Sequence, residues 1–302
     1  MEKVAYRGWP NCYRLANGEV ELIVTGDVGP RIIRFGFIGD ENEFGEFPEQ
    51  VGQTGGSEWR IYGGHRLWHA PEDRVRTYYA DNGPVQVVEE NGTLRVIQPP
   101  EATTGIQKEM AITFEATNRV EVRHSLRNVG LWPIELAPWA LSVMAPGGTG
   151  IVPQPTRAHP DGLLPNRVLV LWPYTDMRDT RIHWGSQLIL LRQDQNAQRP
   201  TKIGLSASDG WGAYLRQGHL FLKTFEYVEG ASYPDHGCSL EIYTNNRMLE
   251  LETLGPLQRL APGDVVEHVE RWFLFRGVEA GEDEESIARA VLPLVAAHDA
   301  SF

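Results

Sequence analysis

The stretch Cys12-Tyr13-Arg14-Leu15-Ala16-Asn17-Gly18-Glu19-Val20-Glu21-Leu22-Ile23-Val24-Thr25 sets the reading of the whole chain. Asn-Gly between two apolar runs closes a tight turn, because both residues accept a positive φ at little cost, so Cys12 to Leu15 and Val20 to Thr25 read as a hairpin. The pattern recurs downstream. Arg31 to Ile38 follows a Gly29-Pro30 turn, Val85 to Glu89 and Leu94 to Gln98 flank Asn91-Gly92, and Gly105 to Glu115 and Arg119 to Arg127 flank Thr117-Asn118. Trp132 to Met144 is apolar and expected to be buried, and Pro153 to Pro165 reads as loop. Val168 to Trp172, Gln187 to Arg192, Lys202 to Ser206, Gly212 to Leu215 and His219 to Tyr227 are further short strands. Ser239 to Tyr243, Arg247 to Thr253 and Val265 to Phe275 complete the set. Only Glu282 to His298 has a helical apolar stripe, through Ile287, Ala288, Val291, Leu292 and Val295. Many short strands at hairpin spacing with one terminal helix predict an all-β fold, an antiparallel sandwich or barrel. No repeat, low-complexity tract or linker breaks the chain, so residues 1–302 are expected to form a single domain.

Composition narrows the function. The chain has 302 residues, 41% hydrophobic and 23% charged, an ordinary globular balance. A formal net charge of -12 with no Lys/Arg-rich block argues against nucleic acid and anionic membrane surfaces as partners. No apolar run has the length to span a bilayer, and Met1 to Pro10, with Glu2, Lys3 and Arg7, lacks the apolar core of a secretory signal. Two cysteines, Cys12 and Cys238, are too few for a disulfide framework and fit a reducing cytoplasm, the expected location. Nine Trp and ten Tyr suit either ordinary sheet packing or stacking on the C–H faces of a sugar ring.

The densest chemistry lies in Gly63-Gly64-His65-Arg66-Leu67-Trp68-His69-Ala70-Pro71-Glu72. Two imidazoles, a guanidinium, an indole and a carboxylate follow a glycine pair that lets backbone approach a ligand. The ordinary alternative is a turn followed by core and surface residues. In the strand Met248-Leu249-Glu250-Leu251-Glu252, alternation puts Glu250 and Glu252 on one face, roughly 7 Å apart. A partly buried carboxylate there would serve as a general base, its pKa raised toward a useful range; pairing with Arg247 or Arg259 is the alternative. His124 alternates with apolar neighbours and reads as a sheet-face histidine, and Asp176 to Arg181 as a solvated loop with internal ion pairs. His65 and His69 have an i, i+4 spacing with Glu72 beyond, which on a helix would suit a metal, but the glycine pair and Pro71 oppose a helix. H-E-x-x-H, C-x-x-C, G-x-S-x-G and phosphate-binding glycine patterns are missing from the sequence, and neither a metal nor a cofactor is expected.

Asp27-Val28-Gly29-Pro30-Arg31-Ile32-Ile33-Arg34-Phe35, the Gly-Gly-His-Arg-Leu-Trp stretch, and Leu249 to Pro256 with Leu260-Ala261-Pro262-Gly263-Asp264 together resemble the galactose mutarotase-like superfamily, in particular its uncharacterised bacterial branch. The resemblance covers nearly the whole chain. It implies one large β-supersandwich whose concave face binds a sugar, and aldose 1-epimerase-like chemistry on a sugar hemiacetal by general acid and base. In that chemistry a carboxylate takes the anomeric proton, a histidine protonates the ring oxygen, and the ring opens and recloses on either face. By motif position Glu252 matches the base, with Glu250 and Glu241 as fallbacks, and His65 matches the first active-site histidine. Where the family carries its second histidine, this chain reads Ala137-Pro138-Trp139-Ala140, so His69 or His236 would have to supply the acid. Arg31, Arg66, Lys223 and Asp235 are then candidates for sugar hydroxyls, and Trp68, Trp139 and Trp211 for stacking. Two other readings accompany this one: a non-catalytic sugar sensor on the same cleft, and a metal-dependent carbohydrate enzyme using His65, His69 and Glu72.

Overall fold

The hairpins of the sequence assemble into two antiparallel sheets, one of eleven and one of ten strands, in the computed structural model, which describes residues 1–116, 118–155 and 163–298. In chain order the first strands are β1 Glu2–Tyr6, β2 Trp9–Ala16, β3 Val20–Thr25, β4 Arg31–Phe37, β5 His65–Ala70, β6 Gln86–Glu90 and β7 Thr93–Ile97. Next come β8 Ile106–Ala116, β9 Arg119–Asn128, β10 Ile134–Met144, β11 Thr149–Pro153, β12 Leu169–Leu171, β13 Ile182–Trp184 and β14 Leu188–Arg192. The last are β15 Thr201–Leu205, β16 Trp211–Arg216, β17 His219–Phe225, β18 Leu240–Thr244, β19 Leu249–Leu254, β20 Gln258–Leu260 and β21 Val265–Phe275. The first sheet runs β1-β2-β3-β4-β5-β10-β19-β18-β15-β12, with β20 also on β10; the second runs β13-β14-β11-β16-β17-β21-β9-β8-β7-β6.

Side chains alternate across each strand, so each sheet turns an apolar face toward the other. Leu22, Phe35, Leu67 and Leu251 of the first sheet meet Val120, Val122, Phe221 and Trp272 of the second in the main core. Burial of each such side chain stabilises the sandwich by about 1.5–3 kcal/mol. The second sheet's outer face is covered by the helix Glu284–His298, whose Ile287, Ala288, Val291 and Val295 pack on Leu188, Leu190, Trp211 and Leu220. Asp283 accepts the Ser286 N–H at 2.9 Å, a capping contact that starts this helix at Glu284 rather than at Glu282.

Several expectations need correction. The histidine stretch, read from the sequence as a site following a glycine turn, is from His65 to Ala70 the central strand β5. Gly63 and Gly64 have φ of +103° and +72°, and a Cβ on Gly64 would lie 2.3 Å from the Ile32 carbonyl oxygen, so the pair lets β5 close against β4. Trp132 is 79% exposed, outside the strand that begins at Ile134 and its buried run from Leu136. The short strands β1, β13 and β20 carry no hairpin signal of their own. Cys12 and Cys238 are both buried free thiols. Asp176 pairs with Arg178 and Asp179 with Arg181, as a solvated charged loop should. Thr117 of the Thr117-Asn118 turn, and residues 156–162 of the expected loop, lie outside the described residues.

Candidate functional site

Five adjacent strands build the site. Register aligns Arg66 with Leu141, Leu141 with Glu252 and Glu252 with Glu241, while Trp68 faces Trp139 and Tyr243 pairs with both Glu250 and Lys202. Directly opposed residues share a face, so these side chains all rise from the first sheet on the side away from the core. The second sheet covers only the other face. The result is a pocket of about 420 Å³, within the range of small-molecule sites.

Its walls are aromatic. Trp59, Trp68, Trp139 and Trp172 line it with Tyr78, Tyr174 and Tyr243. Trp68 is edge-on to Trp139 at 5.3 Å and to Tyr78 at 5.0 Å, and Trp59 is 5.5 Å from Trp68. Opposite Glu241 the strand carries Gly204, where a Cβ would lie 2.5 Å from Cys238 Sγ and 3.2 Å from the Trp172 ring. A glycine is therefore what lets Trp172 lie down on the sheet and wall the pocket.

The floor is charged and almost dry. Lys202, 5% exposed, donates to Glu252 Oε2 at 2.9 Å and lies 2.7 Å from Glu241 Oε2. Its ammonium sits 4.8 Å from the Trp139 ring centre and 4.7 Å from that of Trp172, a cation held between two indole faces. Trp139 Nε1 donates to the same Glu252 oxygen at 2.9 Å. The other oxygen, Oε1, is buried without a hydrogen-bond partner among the described residues. Alongside, Arg66 donates to Glu250 Oε1 at 2.7 Å and stacks over Trp68 at 4.4 Å, with its Nε and Nη1 unmatched. At the rim Tyr78 donates to Glu72 at 2.5 Å.

One ammonium between two buried carboxylates leaves an excess negative charge. Burial raises the Glu241 carboxyl well above the usual range, with Lys202 opposing, and burial raises Glu252 in the same way. Burial alone would lower Lys202, but Glu241 and Glu252 outweigh it and hold the ammonium charged. The floor thus offers a fixed cation, two carboxylates more basic than usual, and, on the pocket-lining Glu252, an oxygen with no hydrogen-bond partner among the described residues.

Solved structures share this architecture. A protein from Synechocystis sp. PCC 6803 superposes with a TM-score of 0.59 at 12% identity, over 91% of this chain and 100% of the other. A galactose mutarotase-like protein from Lactobacillus casei gives 0.54 at 8% identity, over 88% and 100%. A galactose mutarotase related enzyme from Lactobacillus acidophilus gives 0.52 at 10%, over 88% and 98%. The chain has the galactose mutarotase-like fold. No protein-family model matches the sequence, and no curated protein matches it either.

Within this mutarotase-like sandwich the sequence-derived site residues divide by strand face. Arg66, Trp68, Trp139, Glu250 and Glu252 line the pocket, and Glu241 lies behind Lys202. His65 and His69 do not line it, because they occupy the core-facing side of β5, opposite Arg66 and Trp68. His69 instead bonds Glu101 at 3.3 Å, beside Lys108. Arg31 is spent on the Ile61 and Gly63 carbonyls and on Asp81. Trp211 packs under the C-terminal helix, and Asp235 sits in the tight turn Pro234–Gly237 away from the pocket wall, as does His236. Lys223 lies between the sheets.

His65, His124, His268, Lys223 and Glu270 form that inter-sheet cluster. His124 Nδ1 donates to the His268 carbonyl at 3.0 Å, which leaves its Nε2 to accept from His65 Nε2–H at 2.7 Å; His65 Nδ1 then accepts from Ser142 at 2.8 Å. His65 and His124 are therefore neutral. Burial pushes His124 down to about 4 and His268 to about 3, with Glu270 pulling both the other way. Glu270 accepts from Lys223 at 2.8 Å, Thr253 at 2.5 Å and Trp272 at 2.7 Å. Burial would raise it, but the Lys223 ammonium outweighs burial and holds it far below the usual range. Although ligand atoms of His65, His124 and Glu270 lie within 4.8 Å of one another, they are already bonded to each other or to Lys223 and Trp272. The metal reading's trio of His65, His69 and Glu72 is not gathered: two face the core at separate partners, and Glu72 is at the pocket rim.

Lys202, Trp59, Trp172, Tyr78, Tyr174 and Tyr243 are pocket residues that the sequence did not single out. The available signal for Lys202 was a lone lysine in a short apolar strand after Pro200.

Proposed function

We propose that the protein binds a sugar in this pocket and interconverts its anomers, an aldose 1-epimerase-like isomerisation in which Glu252 is the base. The observation that carries the reading is the unpartnered Glu252 Oε1 on the floor of an aromatic-walled cavity. Indole and phenol rings supply flat apolar faces for a pyranose ring, and Arg66, Glu250 and Glu72 supply donors and acceptors for its hydroxyls. Glu252 is basic enough, through burial, to accept the anomeric hydroxyl proton, while Trp139 and Lys202 stabilise its charge.

The reading is tested by following anomer interconversion in a panel of free aldoses by NMR, with sugar binding measured by calorimetry in parallel. Acceleration over the uncatalysed rate that falls ~100-fold or more in Glu252→Gln supports it. A second reading, a sugar-binding protein without catalysis, is favoured by one observation: no imidazole lines the pocket among the described residues. Binding heats with no acceleration for any aldose would select it.

A further inference from the structure

We propose that Lys202 and Glu252 act together on the two oxygens of one anomeric carbon, Lys202 protonating the ring oxygen while Glu252 takes the proton of the anomeric hydroxyl. This rests on the epimerase-like reading above and supplies the acid that the pocket's lack of an imidazole leaves open.

The geometry points to this pair for three reasons. An ammonium has three N–H donors; Glu252 takes one and Glu241, at ion-pair distance, can take at most one more, so at least one remains for the cavity that Lys202 lines. The neighbouring Glu252 Oε1 has an acceptor to spare. Acid and base are one hydrogen bond apart, at 2.9 Å, and the ring oxygen and anomeric hydroxyl are bonded to the same carbon, so one side of the sugar can meet both at once. An acid on the far wall is not required.

The step balances without a co-reactant. The anomeric O–H proton passes to Glu252 Oε1, and its bonding pair forms the aldehyde C=O. The bond from C1 to the ring oxygen breaks with its electron pair on that oxygen, which takes a proton from Lys202 Nζ. The aldehyde end rotates about its bond to C2. In reclosure the ring oxygen attacks the carbonyl carbon and returns its proton to Nζ, and Glu252 gives its proton to the carbonyl oxygen, so both groups end as they began. Glu241 is a positioning residue: buried, and met by Lys202, it fixes Nζ and keeps the ammonium protonated between turnovers.

The test uses full-length Lys202→Met, Lys202→Arg and Glu241→Gln with an aldose that the native protein interconverts. Lys202→Arg keeps the charge between the carboxylates but cannot release a proton, so it separates an acid from a mere counter-ion. The expected result is a kcat lowered ~100-fold or more in both Lys202 variants, with KM within a few-fold and sugar binding retained by calorimetry. In Glu241→Gln the lysine loses a stabilising carboxylate, so the alkaline limb of the pH–rate profile should move to lower pH. Native-like kcat in Lys202→Arg, or an unmoved profile in Glu241→Gln, overturns the proposal. If Glu252→Gln is inactive while Lys202→Arg keeps its rate, the epimerase reading stands and this inference falls; no acceleration by the native protein removes both.

Discussion

The molecule contains two versions of one arrangement, a buried glutamate that accepts from a lysine ammonium and from an indole N–H. Between the sheets it is Glu270 with Lys223 and Trp272; on the pocket floor it is Glu252 with Lys202 and Trp139. They differ in what is left over. Thr253 completes the bonding around Glu270, whereas Glu252 keeps an oxygen unmatched and shares its lysine with a second carboxylate. A satisfied buried charge rigidifies a core, and one with valence to spare beside a cavity is prepared for something that comes and goes. Burial alone does not tell the two apart.

The comparison breaks most visibly if the core version is cut. Lys223→Met leaves Glu270 charged and uncompensated in the interior and should cost about 3–5 kcal/mol of stability in urea unfolding. Glu252→Gln should cost far less, since Lys202 retains Glu241; a larger loss there would mean that the pocket trio is structural. Acid separates the clusters next. His124 has a folded-state pKa of about 4 against an ordinary 6.5, so its contribution is complete above pH 6.5 and is lost as pH falls toward 4. The loss approaches about 3 kcal/mol, with His268 acting in the same sense. The floor carboxylates have the opposite sign, because their raised folded pKa favours the fold below the usual carboxylate range and opposes it above. In a Glu241→Gln/Glu252→Gln background, which removes the opposing carboxylates, urea midpoints at pH 7, 5.5 and 4.5 should fall with pH, and a flat series there would contradict neutral core imidazoles. A subtler change is Gly204→Ala, which forces Trp172 or Cys238 aside; overpacking of this kind costs about 1–3 kcal/mol and should weaken sugar binding more than Ala substitution elsewhere in the sheet. The smallest effect belongs to Arg178→Ala in the solvated loop, within about 0.5 kcal/mol and without effect on binding.

How far the sequence reaches follows from the range of each interaction. Hairpins are local, so Asn17-Gly18 and Asn91-Gly92 announce their strands, and Glu250 and Glu252 announce a shared face through period-two alternation. The same alternation, applied to His65 through Ala70 as a strand, separates His65 and His69 from Arg66 and Trp68. The separation is hidden in the sequence because the polar residues of this stretch are buried on both faces and show no apolar alternation. Lys202 was illegible for another reason. Its importance comes from strands β15, β18 and β19 lying side by side, a pairing across fifty residues that leaves no trace in the residues beside it.

The most direct test exploits the matched tryptophans. Indole N–H resonances of the ¹⁵N-labelled protein, assigned with Trp139→Phe and Trp272→Phe, would be followed through titration with an aldose. The account predicts that the Trp139 resonance shifts in a saturable way, because its acceptor Glu252 rebonds to the sugar, while that of Trp272 stays still. Saturable movement at Trp272 with none at Trp139 would place the ligand elsewhere and contradict the pocket as the functional site.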